Sequence, residues 1–159
     1  VMGVLPLDRV LDAITVRQMT EVLDGKVICA HEGLDEFVER FSVGAMDADA
    51  ALGYFRKLPN KAVITGGHRA DIQLAALETS TKCIVLTGDQ MPNEIIISRA
   101  RELRVPMISV HYDTLTTVEK LEGMLGRIRI REERKIQRAR ELLRDRLNFR
   151  RIIEKLGLK

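Results

Sequence analysis

The sequence predicts an α/β fold, in which helices cover both faces of a parallel or mainly parallel sheet and an amphipathic helical tail follows. Two observations in residues 60–125 predict the sheet. Short apolar segments alternate with helix-like segments of roughly ten residues, and the strand segments are apolar throughout instead of alternating with polar residues. A shift to a highly charged composition after Gly126 predicts the tail. Connections between parallel strands are expected to be right-handed crossovers.

The first half of the chain carries two predicted helices and two predicted strands. Thr15 is placed to cap the first helix, because a threonine oxygen accepts hydrogen bonds from the free amides of a first turn. Asp47 caps the second helix in the same way. The second strand fits neither a strand period nor a helix period cleanly. The predicted segments are helices over 16–23 and 48–58 and strands over 26–30 and 40–45.

The second half alternates strands with helices and ends in the helical tail. The first tail helix carries an apolar stripe at helical spacing, and its basic residues occupy the remaining faces. Asn148 is placed to cap a second short tail helix, which ends at Gly157. The predicted segments are strands over 62–65, 82–87 and 106–110, and helices over 69–78, 93–103, 114–125 and 132–146.

Length and composition place the chain among globular proteins. A chain of 159 residues is of ordinary domain size, and its 45% hydrophobic and 31% charged residues fit that class. No apolar run approaches the ~20 residues of a membrane span, and no secretory signal begins the chain, so we expect a cytoplasmic protein. Cys29 and Cys83 lie in apolar runs without metal-binding spacing, which predicts buried structural thiols and no metal site.

The charge is unevenly distributed. Residues 126–159 hold 13 Lys and Arg against 5 Asp and Glu, whereas residues 1–125 hold 13 against 18. Nucleic-acid binding would therefore depend on the basic tail alone. Acidic residues are interspersed in that tail and Phe149 is its one aromatic residue, so a solvated helix pair packed on the body or on a second subunit is the favoured interpretation.

Three successive predicted strands end in small polar residues. The segments are Thr65-Gly66-Gly67, Thr87-Gly88-Asp89 and His111-Tyr112-Asp113-Thr114. In an open parallel sheet, ligands bind outside the carboxyl ends of the strands, where loops from different strands meet. We therefore expect any ligand site at this edge of the sheet.

The turn after Thr65 has the composition of an anion site. Glycines let backbone amides approach a ligand, a helix beginning near His68 would direct its positive dipole end there, and Arg69 offers a bidentate fork for phosphate or carboxylate. The chemistry implied is a small anion, a phosphorylated metabolite or a nucleotide. The alternative is structural: the glycines serve a tight turn and Arg69 pairs with Asp71. Neither GxGxxG nor GxxxxGK[ST] is present.

The remaining polar residues at these strand ends have structural explanations as well. Asp113 and the threonines after it are placed to cap the last helix of the domain, which explains them more readily than ligand contact does. His68 and His111 fall at the predicted site, but no serine or cysteine nucleophile is paired with them in a recognisable motif. No catalytic residue is therefore assigned.

Four spaced motifs resemble the DRTGG domain family. Their residues are Val63-Ile64-Thr65-Gly66-Gly67-His68-Arg69-Ala70-Asp71-Ile72 with the helix after them, Val85-Leu86-Thr87-Gly88, Val105-Pro106-Met107-Ile108-Ser109-Val110, and Asp113-Thr114. The chain is most similar to the form that follows a P-loop, dethiobiotin-synthetase-like domain in phosphotransacetylase-family proteins. His68 stands where the family commonly has aspartate, and Asp89 where a second glycine is frequent.

The resemblance implies a Rossmann-like, three-layer α/β module over residues 12–125 that is regulatory or ligand-sensing. It also implies that residues 1–11 are a linker from an upstream P-loop domain, while the shift in composition marks residues 126–159 as a basic helical extension. Val1 in place of methionine likewise suggests a piece of a longer protein. The expected ligand-binding residues are the family's motif positions together with Thr65 and His68. They are Thr65, Gly66, Gly67, His68, Arg69, Asp71, Thr87, Gly88, Asp113 and Thr114.

The function expected from these observations is a regulatory and oligomerisation module of a phosphotransacetylase-like protein. The apolar stripes of the tail predict a homodimer, and a nucleotide or phosphorylated metabolite is the expected ligand. The alternative is an enzyme acting on a phosphorylated or acylated metabolite, related to phosphate acyltransferases, with Arg69 binding the anion and His68 or His111 as acid or base. Nucleic-acid binding through the tail is the third and least favoured function.

Overall fold

The computed structural model describes residues 8–124 and 133–147, together with Pro6, Ile153, Lys155 and Gly157. The chain divides into two compact units: Val1–Asp12 with Ile128–Lys159 form one, and Ala13–Arg127 form the other. The larger unit contains the sheet and the strand ends at which a ligand site is expected.

A five-stranded sheet in the order β2-β7-β6-β5-β4 forms the centre of the larger unit. The pairs β4–β5, β5–β6 and β6–β7 are parallel, so the predicted mainly parallel sheet is confirmed. β2 departs from this pattern, because it lies antiparallel to β7 at the edge of the sheet. The strands are β1 (Ile14–Thr15), β2 (Lys26–Cys29), β3 (Phe37–Val38), β4 (Arg40–Val43), β5 (Lys61–Gly66), β6 (Thr81–Thr87) and β7 (Met107–Val110).

The short strands β1 and β3 pair antiparallel in a separate two-stranded sheet, which the sequence did not predict. Each is only two residues long, too short to show a period. The strand predicted over 40–45 is confirmed as β4, although it ends at Val43.

Helices cover the sheet, and the caps predicted at Thr15, Asp47 and Asp113 begin their helices, whereas the helix over Arg9–Asp12 was not predicted. Thr15 and Gln18 form a reciprocal capping box, and the Asp47 carboxylate accepts from the amide of Ala50. α4 contacts α3 and α5 in one layer, and α2 contacts α6. The helices are α1 (Arg9–Asp12), α2 (Val16–Val22), α3 (Ala48–Phe55), α4 (Ala70–Leu77), α5 (Glu94–Glu102), α6 (Thr114–Glu122) and α7 (Glu133–Arg146).

The smaller unit contains α1 and α7. The Arg138 guanidinium on α7 donates from Nε to Oδ2 of Asp8 at 2.8 Å, and this bond is the main reason why the pKa of Asp8 lies below its usual value. Because α1 spans Arg9–Asp12, residues 9–11 of the predicted linker are helical. The second tail helix predicted after Asn148 falls outside the described residues, apart from Ile153, Lys155 and Gly157.

One hydrophobic cluster of the core lies between the sheet and the layer formed by α3, α4 and α5. Phe55, Ile72 and Ile96 from these helices pack against Val63 and Ile84 of the central strands. Both cysteines are buried and unpaired, as predicted, and burial raises the pKa of each thiol. None of the helices that the structure describes is long and apolar enough to cross a membrane.

Candidate functional site

A cleft of about 460 Å³ opens at the carboxyl ends of β4, β5 and β6. It receives residues from the β4–α3, β5–α4 and β6–α5 loops and from the start of α6. Eight of the ten expected site residues line it: Thr65, Gly66, His68, Arg69, Thr87, Gly88, Asp113 and Thr114. Gly67 and Asp71 do not line it, whereas Val43, Gly44, Ala45, Ile64 and Gln90 do so without having been predicted.

Threonine hydroxyls form a hydrogen-bonded base to the cleft. Thr65 Oγ1 donates to the carbonyl oxygen of Gly44 at 3.2 Å. The hydroxyls of Thr87 and Thr114 lie 3.1 Å apart, and Thr87 Oγ1 is 3.5 Å from the carbonyl oxygen of Thr65. These bonds tie the ends of β4, β5 and β6 to the start of α6.

Arg69 is engaged within the chain. Its Nε donates to Oδ1 of Asp71 at 3.0 Å and its Nη2 donates to Oδ2 at 2.9 Å, while Nη2 also bonds the carbonyl oxygen of Met46 at 2.7 Å. The hydrogen bond from Arg69 holds the pKa of Asp71 below its usual value, and the same bond raises the pKa of Arg69. The structural alternative foreseen for this pair is therefore present, and the fork expected to bind an anion already holds a carboxylate.

The absence of side chains at Gly66 and Gly67 lets neighbouring groups of the same chain pack closely. A Cβ atom at Gly66 would lie 2.7 Å from Cε1 of the His68 ring. One at Gly67 would lie 2.2 Å from the carbonyl oxygen of Gln90. His68 and Gln90 also bond each other, with Nδ1 and Oε1 3.0 Å apart. The β5–α4 and β6–α5 loops are thus interlocked, and a ligand reaches the Gly67 backbone past this contact only if Gln90 moves, whereas Gly66 lines the cleft.

Gln73 is a buried polar residue that the sequence reasoning missed. Its Nε2 donates to the carbonyl oxygens of Gly66 at 3.1 Å and Gly67 at 3.0 Å, so the side chain supports the double-glycine turn from beneath. Among the described residues, its Oε1 and Ser42 Oγ are the buried side-chain oxygens without a hydrogen-bond partner. The available signal was an amide in an α4 segment that is otherwise apolar on nearly every side.

Asp113 caps α6, as predicted, and also faces the cleft. Its Oδ1 accepts from the amide of Thr116 at 2.9 Å and its Oδ2 accepts from the hydroxyl at 2.8 Å. These hydrogen bonds, the backbone one first, hold the pKa of Asp113 below its usual value, so the group is a carboxylate at neutral pH.

The other histidine expected near the site lies elsewhere. The ring of His111 packs on Tyr112 with centroids 3.8 Å apart, and His111 is not among the residues lining the cleft. Within residues 8–124, 133–147 and the few others described, no group of three or more His, Cys, Asp or Glu side chains could hold a metal ion.

Comparisons with known proteins agree with the fold and the motifs. A family model described as "DRTGG domain" matches residues 18–124. The chain is 30% identical over 106 residues to a Bacillus subtilis (strain 168) protein described as "Uncharacterized protein YtoI", over 67% of this chain and 23% of that protein. It is 28% identical over 146 residues to a phosphate acetyltransferase of Nitratidesulfovibrio vulgaris, over 86% of this chain and 20% of that protein. The chain thus spans about a fifth of the length of these relatives.

A solved structure shares the fold. The CBS and DRTGG domains of the regulatory region of Clostridium perfringens pyrophosphatase, complexed with the activator diadenosine tetraphosphate, align with a TM-score of 0.60. The alignment covers 70% of this chain and 47% of that chain at 20% sequence identity. At this identity the likeness concerns the fold alone, and it confirms the α/β class.

Proposed function

We infer the function of this chain from its family and its cleft: the chain belongs to the DRTGG domain family. We propose that it is a regulatory, ligand-sensing module that binds a nucleotide or phosphorylated metabolite in the cleft. The observation that carries the proposal is the position of that cleft, at the carboxyl ends of three adjacent parallel strands. This edge is where open parallel sheets bind ligands, because loops from different strands meet there.

The pyrophosphatase comparison supports a regulatory role. Its DRTGG domain belongs to a region described as regulatory, in a complex with a nucleotide activator. Transferred to this chain, that description favours a module that senses a nucleotide and transmits the occupancy of its site to other domains.

The larger context of the module is also part of the proposal. The similarity to a phosphate acetyltransferase favours a place within a phosphotransacetylase-like protein that includes a P-loop domain. We further propose that the module forms a homodimer in the cytoplasm. Analytical ultracentrifugation of the chain at several concentrations should give the mass of a dimer, and a strict monomer would contradict this assignment.

The enzymatic alternative has less support from the described residues. Arg69, its proposed anion-binding residue, is paired with Asp71, and His68 is bonded to Gln90. His111, the other proposed acid or base, does not line the cleft. A regulatory function needs none of these groups to be free.

The binding function is tested by filling the cleft. Ala45 is exposed and lines it, so the bulky ring in Ala45→Phe should occupy ligand volume without entering the core. Ala50, which is also exposed but does not line the cleft, provides the matched control Ala50→Phe. A ligand at about a hundred times its Kd stabilises a protein by about 2.7 kcal/mol.

Thermal unfolding should therefore be measured with ATP, diadenosine tetraphosphate, acetyl phosphate and acetyl-CoA in turn. We expect at least one compound to raise the Tm of the parent chain and of Ala50→Phe, and to leave that of Ala45→Phe unchanged. No shift with any compound, or an equal shift in both variants, would contradict binding in the cleft.

A further inference from the structure

Two features expected to bind phosphate at this cleft, the Arg69 fork and the double-glycine turn, already contact groups of the same chain. The Nε–Nη2 edge of the Arg69 guanidinium is directed at Asp71, and Nη2 also donates to the carbonyl oxygen of Met46. The position of a Cβ atom at Gly66 is taken by the His68 ring and that at Gly67 by Gln90, although Gly66 still lines the cleft. A phosphate entering the cleft would find the bidentate edge of Arg69 already paired with a carboxylate.

The charge around the cleft is also unfavourable for phosphate. Among its lining residues, the charged side chains are Arg69 and Asp113. Asp71 offsets the charge of Arg69 at 2.9 Å, and Asp47 acts electrostatically on the same guanidinium. Arg69 and Asp113 balance each other within the lining, and Asp71 and Asp47, which do not line the cleft, add negative charge beside it that disfavours a polyphosphate.

Two side chains that line the cleft, Thr65 and Asp113, offer acceptors. A hydroxyl has one hydrogen, and Thr65 uses its own on the carbonyl of Gly44, so only the lone pairs of its oxygen remain for a ligand. The Asp113 carboxylate accepts two bonds from Thr116 and has capacity for more. Acceptors of this kind pair with hydroxyl and amino hydrogens, which the largely ionised phosphate groups of a nucleotide mostly lack at neutral pH.

Aliphatic groups complete the lining. Val43, Ala45 and Ile64 provide apolar surface that a flat heterocycle can contact. The volume of about 460 Å³ lies in the usual range for small-molecule sites. We propose that the cleft holds the uncharged nucleoside part of its ligand, with Asp113 accepting hydrogen bonds from ribose hydroxyls or a base amino group, and that phosphates remain outside. This inference depends on the proposed function of the same cleft.

Titration calorimetry on the full chain separates the two parts of a nucleotide. Adenosine, AMP, ATP and inorganic tripolyphosphate are titrated at low and at high KCl concentration. Adenosine should bind with a Kd within about tenfold of that of ATP, tripolyphosphate should give no heat, and added KCl should change the Kd of ATP little, since screening acts on charged contacts.

Asp113→Asn should change the affinity for adenosine and the affinity for phosphate in opposite directions. Asparagine is as good a helix cap as aspartate, so α6 should be kept. Losing a charge-assisted bond should weaken adenosine binding by about tenfold or more, whereas removing a repulsive charge should strengthen the binding of phosphate. Asp47→Asn, at the other aspartate cap, is the matched control and should leave adenosine binding unchanged.

The outcomes distinguish this inference from the proposed function. Binding that grows with the number of phosphates, fails with adenosine or strengthens in Asp113→Asn would overturn the nucleoside assignment and leave a nucleotide-sensing cleft intact. If acetyl phosphate binds and no nucleoside does, the nucleoside assignment is likewise overturned, while a ligand-sensing function of the cleft remains. No heat with any of these compounds would contradict both.

Discussion

The interlock between the two loops can be tested by adding one methyl group. In Gly67→Ala, the new Cβ would lie 2.2 Å from the carbonyl oxygen, 2.6 Å from Cβ and 2.7 Å from the carbonyl carbon of Gln90. The contacts involve backbone, so no side-chain rotation relieves them. The β6–α5 loop is held by bonds from the amides of Gly88 to Tyr112 and of Asp89 to Val110, at 3.1 Å each.

The position of Gly67 is fixed as well, through the bond of Gln73 to its carbonyl. Forcing extra volume into such a packed site costs about 1–3 kcal/mol. For a chain of this length, each kcal/mol lowers Tm by about 2–4 °C. We therefore expect Gly67→Ala to lower the Tm by several degrees.

Gly53→Ala is the matched control for this substitution. Gly53 lies within α3, and a Cβ atom there would meet nothing within 4 Å. Alanine in an exposed helical position is more stable than glycine by about 0.5–1 kcal/mol. Thermal and urea unfolding of both variants should give changes of opposite sign, and a Gly67→Ala variant as stable as the parent chain would refute the interlock.

Three further predictions concern buried or capping polar groups. Lys61 is buried, and its amine donates to Thr79 Oγ1 at 2.8 Å and to the carbonyl of Ser80 at 3.1 Å; desolvation lowers its pKa from 10.5 to about 8. Because the unfolded chain binds more protons between these two pH values, the free energy of unfolding of the parent chain should rise as pH increases from about 8 towards 10.5. Lys61→Met should lack this gain and be the more stable protein at pH 7. Denaturant unfolding at several pH values checks this, and a stability difference independent of pH would contradict it. Gln73→Leu removes both bonds beneath the double-glycine turn and should cost about 1–3 kcal/mol in urea unfolding, with faster amide exchange at residues 66–69. Thr15→Ala removes the capping box of α2 and should cost about 1 kcal/mol, a loss that Thr15→Ser should largely restore.

The sequence predicted the elements whose local signals and tertiary roles agree. The apolar strands that became β5, β6 and β7 and the caps at Thr15, Asp47 and Asp113 are of this kind, because burial on both faces and side-chain capping leave clear patterns. The antiparallel direction of β2 was not predictable in this way. An edge strand that no crossover joins to its neighbour carries no local sign of its direction.

The candidate site was predictable in position but less so in chemistry. Topology brings the strand ends together, and so eight of the expected residues line one cleft. Spacing along the chain does not show contacts between loops. The sequence therefore could not decide whether Arg69 pairs with Asp71 or binds a ligand, nor show that Gln90 packs over Gly67. Composition alone does not show whether the space beside a glycine is open to a ligand or filled by a neighbouring loop.

The strand order has a consequence for the folding process. β4, β5, β6 and β7 follow one another both along the chain and across the sheet, so each can add to the growing edge through a short crossover. β2 precedes these strands in the chain but pairs with β7. Its pairing must therefore close a loop that contains almost all the rest of the sheet. In refolding, amides of β2 are expected to gain protection from exchange after those of β5 and β6. Until then, the exposed edge of β7 is the place where a second nascent chain could pair wrongly.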